Sequence, residues 1–205
     1  MLDSMTLSAL LTSRVCHDLI SPVAAMTTGL EVMEEESDEE MRQHAMDLLN
    51  ASAAQASAKL QFVRLAFGAA GTAGAELDLD EAKGLASGYF DFVKPDLDWR
   101  APGRVVPKSI CKIVLNLCLL AAEAAPRGGH VRVLGAADGP LTIVAEGPRA
   151  FLPETARAAL AGDLDEYDAK SIQPYYVGRL IDTAGQTLTI EDGEERVTFI
   201  LAPAG

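Results

Sequence analysis

Cysteine is scarce: the 205 residues hold three, none in a CxxC spacing. An odd count without that spacing excludes a disulfide framework and gives no support to a zinc site, so Cys16, Cys111 and Cys118 are expected to be reduced packing residues. Basic residues are also few, 17 Lys and Arg against 30 Asp and Glu, for a net charge of −13. Backbone phosphates need a clustered basic footprint, and none is visible, so nucleic acid and anionic membrane are disfavoured as partners. No apolar run reaches the roughly 18 residues of a membrane span, and the N-terminus lacks the basic, apolar and cleavable segments of a secretory signal. The expectation is a cytoplasmic protein whose partners are proteins or small molecules. What is present is a hydrophobic content of 49%, enough for one large or two small cores, without internal repeats or a low-complexity tail.

An apolar-periodic run extends from near Thr6 to near Met33. At about 100° per residue, Leu11, Val15, Leu19, Val23, Met26, Leu30 and Met33 form one helical stripe. His17 falls roughly opposite, with Ser13, Ser21, Ala24 and Thr28, and so points away from the core. Asp18 follows it directly and can steady an imidazole or hold its proton. Ser21 adds a hydroxyl one turn on. Pro22 sits mid-helix, where it removes a donor and clashes with the Asp18 carbonyl at a cost of about 3 kcal/mol. A kink one turn past the histidine is expected to open the helix there.

The acidic run Glu34 to Glu40 reads as a solvated turn, with Ser37 and Glu40 spaced as a capping box. A second amphipathic helix follows to about Phe67, its stripe running from Met41 through Ala45, Leu48, Ser52, Ala56, Leu60 and Val63. His44 lies beside that stripe and reads as structural or surface. A helical hairpin alone cannot bury two apolar stripes, so either a homodimer forms a four-helix bundle, which is the expectation, or the hairpin packs on its own C-terminal domain.

Residues 68–76, GAAGTAGAE, read as a linker. Beyond it the pattern predicts a helix over Leu79 to Val93, a strand over Asp96 to Ala101 and an apolar helix over Pro107 to Ala124. Strands over Val131 to Gly135 and Leu141 to Ala145 turn at Asp138-Gly139. Helices over Pro153 to Leu160 and Lys170 to Thr183 precede strands over Thr187 to Glu191 and Arg196 to Leu201. The fold class is therefore α+β: residues 1–68 a helical hairpin for dimerisation and chemistry, 69–76 a linker, and 77–205 an α/β sandwich with helices on one face of a mixed sheet. Trp99 and His130 read as packing residues.

The segment RVCHDLISP, residues 14–22, resembles the H-box of two-component histidine kinases, in which the phospho-accepting His is followed by an acidic residue, by Thr or Asn at the fourth position after it and by Pro at the fifth. Here Ser21 replaces the Thr or Asn. With KLQFVRLAFGAAG in the second helix and a kinase-like second domain, the chain is similar over nearly its full length to the ChpT-type histidine phosphotransferases of alphaproteobacteria. The second domain resembles a histidine-kinase ATPase domain whose motifs have degraded. Asn116 and Gly128-Gly129 remain, but Leu120 stands where that family carries a metal-binding Asn, and an aliphatic side chain offers a hard cation no oxygen. AEGPRAF keeps Gly147 while Pro148 and Arg149 intrude. Pro174, Tyr175 and Tyr176 stand where the lid glycines would lie. Neither ATP binding nor autophosphorylation is expected.

The function expected is that of a histidine phosphotransferase. A neutral imidazole, reference pKa about 6.5, can attack a receiver's aspartyl phosphate and pass the group on. His17 is the phospho-acceptor, with Asp18 and Ser21 beside it and Pro22 shaping the helix. Arg14 and Lys59, the latter facing this stretch if the hairpin is in simple register, are candidates to temper the added charge. No cofactor is intrinsic, since receivers bring the Mg²⁺. The resemblance implies a donor receiver on a CckA-type hybrid kinase and acceptors of CtrA type and CpdR type. A non-catalytic dimeric adaptor of receivers, a phosphatase using Asp18 and Ser21, and a kinase with divergent motifs stay open as alternatives.

Overall fold

The computed structural model describes residues 2–68, 75–136 and 139–204. Helix α1 spans Ser4–Glu35, opened by Asp3, whose carboxylate accepts from the backbone N–H groups of Met5 and Thr6 at 2.9 and 3.0 Å. Helix α2 spans Glu39–Ala66 and starts on Asp38, which accepts from the Glu40 and Met41 N–H groups. The cap is thus Asp38 rather than the expected Ser37, because the Glu36 carboxylate engages the Ser37 and Asp38 N–H groups and winds the turn one residue further. Arg42 closes the other end, donating to the carbonyls of Met33 and Glu36, the orphans left where α1 ends.

The seam between the two helices departs from the predicted stripe. Pro22 and Gly29 are the two residues α1 buries, whereas Val23 and Leu30 are about half exposed, at 49% and 55%. Small shapes decide this: a Cβ on Gly29 would lie 2.8 Å from Leu49 Cγ, so the glycine is what lets α2 come close. Helix α1 is continuous through Pro22.

The rest of the chain builds β1 (Glu76–Asp78), α3 (Leu79–Phe90), β2 (Asp96–Trp99), β3 (Val105–Pro107), α4 (Lys108–Ala124), β4 (His130–Gly135), β5 (Leu141–Glu146), α5 (Glu154–Ala161), α6 (Ile172–Thr183), β6 (Gln186–Gly193) and β7 (Arg196–Pro203). The five-stranded sheet has the order β2-β4-β5-β7-β6, with β2 parallel to β4 and the other pairs antiparallel. Alternation along β7 turns Val197, Phe199 and Leu201 inward, toward a core they share with Ile113, Leu117 and Leu120 of α4. A small antiparallel pair, β1 with β3, went unpredicted; it starts at Glu76, at the end of the expected linker. Linker residues 69–74, and Asp138 of the expected hairpin turn, lie outside the described residues.

The hairpin is continuous with this second core. Phe62, Leu65 and Ala66 at the end of α2 pack with α3 and α4, while Leu7, Leu10 and Leu11 of α1 pack against Ala159, Ile172 and Tyr175. Cys111 and Cys118 are buried as expected, but Cys16 is exposed on α1. His130 is exposed as well, because β4 begins on its outward face.

Candidate functional site

Turn by turn, α1 presents the residues singled out above. The His17 side chain is 79% exposed, and its Nδ1 lies 3.5 Å from Asp18 Oδ1. The other Asp18 oxygen accepts from Arg14 Nε at 3.1 Å, one turn back on the same helix. Asp18 is therefore held between the imidazole and the guanidinium. Ser21 is exposed beyond it, and Pro22 is buried against α2. Lys59, on α2, donates to the Asp18 backbone carbonyl at 3.0 Å, so the hairpin register brings it to the histidine's turn.

Arg14 also reaches out of the hairpin. Its Nη2 makes a close ion pair with Glu123 near the end of α4, and Nη1 donates to the Ala169 carbonyl before α6 at 3.4 Å. Burial opposes the charge on Arg14, but Glu123 and Asp18 outweigh it and raise the guanidinium pKa above its ordinary value. The nearby Tyr89 hydroxyl is pushed up to about 12, by burial first and by the Asp18 carboxylate second. Sequence reasoning missed Glu123. Its signal was there, a lone carboxylate in the otherwise apolar end of α4, NLCLLAAEAA.

A cavity of about 870 Å³ opens beside this cluster, with Arg14, His17 and Asp18 on one wall and Leu120, Glu123 and Ala124 of α4 on another. Its far side carries Glu166, Asp168 and Lys170. Leu120 contributes hydrocarbon to the lining and is itself 1% exposed. Asn116 faces the other way: fully buried, its amide donates to the carbonyls of Ala66 and Lys112 at 2.9 Å each, while its own oxygens accept from Gln173. That carboxamide is consumed in joining α2, α4 and α6.

The other glycines and aromatics singled out in the sequence are used likewise. Gly129, at φ +117°, and Gly147 bring two turns so close that a Cβ on either would sit 2.2 Å from the other turn's backbone. Tyr175 is buried on α6, its hydroxyl accepting from the Leu2 N–H at 3.1 Å, and Tyr176 accepts from Lys112 Nζ at 3.3 Å. Among the described residues no group of three or more His, Cys, Asp and Glu side chains is placed to hold a metal ion.

The chain is similar to known phosphotransferases. The family model described as the histidine phosphotransferase C-terminal domain matches residues 79–196. Protein phosphotransferase ChpT of Brucella abortus (strain 2308) is 40% identical over 203 residues, which is 97% of this chain and 96% of that protein. A bacterial phosphotransferase solved at 1.7 Å is 37% identical, with a TM-score of 0.87 and 98% of both chains covered. The histidine kinase domain of Erythrobacter litoralis EL346 blue-light activated histidine kinase is a remoter likeness, 14% identical at a TM-score of 0.47. This is a phosphotransferase of two-component signalling. The chain belongs to the ChpT-type histidine phosphotransferase family. Among its described residues no helix is long and apolar enough to cross a membrane.

Proposed function

We propose that the chain relays a phosphoryl group between receiver-domain aspartates through a phosphohistidine at His17, without binding ATP. The observation that supports this most directly is the exposed imidazole whose Nδ1 is turned toward Asp18, leaving Nε2 to the visitor. In the forward step the Nε2 lone pair attacks phosphorus, the N–P bond forms, and the P–O bond to the receiver's carboxylate breaks. The imidazolium so formed gives up its Nδ1 proton toward Asp18, whose orientation is held by Arg14. Running the same steps backward delivers the group to a second receiver. The receivers supply the Mg²⁺, so this chain contributes mostly position.

The ATP-free reading draws on the cavity: an aliphatic Leu120 faces it, the Asn116 amide is spent elsewhere, and the lining carries four carboxylates, Asp18, Glu123, Glu166 and Asp168, against the two cations Arg14 and Lys170, of which Arg14 is already paired with Glu123. In this reading residues 1–68 carry the histidine and a dimer face, and 77–205 provide a docking platform. Apolar residues left on the hairpin surface, among them Ile20, Val23, Leu30, Met41, Leu48 and Leu60, support a homodimeric four-helix bundle. A CckA-type receiver as donor, CtrA-type and CpdR-type receivers as acceptors, and a cytoplasmic setting follow from the family resemblance.

Incubation with a ³²P-labelled phosphorylated receiver tests the proposal. Acid-labile, base-stable label on this chain, absent from His17→Gln, is the expected result. Label taken directly from ATP would instead mark a kinase. The exposed Ser21 on the histidine's face keeps one other reading in view, a phosphatase, which would discharge the receiver with nothing trapped on His17.

A further inference from the structure

Pro22 has no N–H, so the helical ladder of α1 skips the carbonyl of Asp18, four residues back. That carbonyl is not left empty: Lys59 of α2 donates to it at 3.0 Å. The arrangement is specific in two respects. Pro22 is buried in the hairpin seam, so the orphaned oxygen opens toward α2 rather than toward bulk water. Among the described residues Lys59 has no carboxylate partner; the Asp18 carbonyl is the one acceptor its ammonium meets. A half-buried lysine without a counter-ion is costly to order, and a surface cation would have taken water instead.

From this geometry we infer that Lys59 is a positioning residue for phosphotransfer, standing in for the backbone N–H that Pro22 lacks and fixing the turn that presents His17. Asp18 is then gripped twice, its side chain by Arg14 and its main chain by Lys59. Because His17 is the preceding residue, the direction of its ring over the cavity is set by the same turn. Lys59 acts through the Asp18 backbone and does not itself touch the phosphoryl group. The inference rests on the proposed chemistry at His17 and adds to it what keeps that residue in place.

The test is a double-mutant cycle read in single-turnover transfer from a phosphorylated receiver, at a temperature well below unfolding. Lys59→Met is expected to lower the maximal rate about tenfold while leaving the half-saturating receiver concentration unchanged. Lys59→Arg, which keeps a donor, is expected to stay within about twofold of wild type. Pro22→Ala gives the backbone its N–H back, so Pro22→Ala/Lys59→Met should transfer as fast as Pro22→Ala alone, and thermal unfolding should show the same non-additivity. A tenfold loss that persists in the Pro22→Ala background would overturn the inference, because Lys59 would then act on something other than that carbonyl. So would a Lys59→Met protein that transfers at the wild-type rate. If wild type takes no label from any phosphorylated receiver, the relay itself fails; the unfolding cycle still reads the Pro22–Lys59 coupling, and additive losses there would reject it independently.

Discussion

Helix α1 has 32 residues and buries two of them, Pro22 and Gly29; helix α4 has 17 and buries thirteen, from Ile110 to Ala124. Both helices line the cavity beside the histidine, α1 with Arg14, His17 and Asp18 and α4 with Leu120, Glu123 and Ala124. In α1 the histidine faces solvent, whereas in α4 Leu120 and Ala124 are packed into the core. A helix that buries so little of itself gains little from packing against its neighbours and leaves polar groups free for visitors. One that buries nearly everything is committed to packing, and Leu120 and Asn116 show how: one is buried hydrocarbon, the other an internal bracket. The molecule thus separates presentation from support.

That separation can be broken at several places. The largest effect is expected from His17→Gln, which should cut phosphotransfer by about a thousandfold or more while leaving unfolding unchanged, since the side chain is exposed. Substitution in α4 should do the opposite. Asn116→Ala removes the donor to the buried Ala66 carbonyl and one of the two acceptors of the Gln173 amide, which keeps the backbone carbonyl of residue 116, and a loss of about 1–3 kcal/mol is expected in urea unfolding. Leu120→Asn, which places a carboxamide by the cavity, should cost about 1–3 kcal/mol and still give no titration with a fluorescent nucleotide; a measured nucleotide affinity would erase the contrast between the two helices. Gly29→Val, forcing a side chain into Leu49 at the seam, is expected to cost about 1–3 kcal/mol in thermal unfolding.

The smallest effect concerns pH. Burial pushes the Cys111 thiol up to about 11 and the Tyr89 hydroxyl up to about 12, and raises the Cys118 thiol as well. Groups whose folded pKa is raised contribute stability fully below their unfolded values and lose it as pH rises toward the folded ones. Stability should therefore fall between about pH 9 and 12, where the unfolded chain ionises first. Urea midpoints measured across that range check it, and a flat profile would mean these groups are less enclosed than they look.

Element order was legible because periodicity survives in almost every segment: the apolar runs of α4 and β7 each bury one pattern and nothing competes with it. The seam of the hairpin was not. Val23 and Leu30 have the hydrophobicity for it, yet Pro22 and Gly29 hold it, since close approach of two helices selects for small or flat shapes at the crossing and not for apolar bulk. The β1–β3 pair escaped notice because three-residue strands carry no measurable alternation.

The sequence by itself determined the exposed histidine with its acidic neighbour, the proline a turn later and an aliphatic side chain at Leu120, all of which are statements about local residue chemistry. Only the tertiary structure decided that Glu123 meets Arg14, that Lys59 meets the carbonyl Pro22 leaves open, and that Asn116 turns inward. Those contacts join residues 41 to 109 positions apart, and a partner that distant is chosen by packing, which no local pattern encodes.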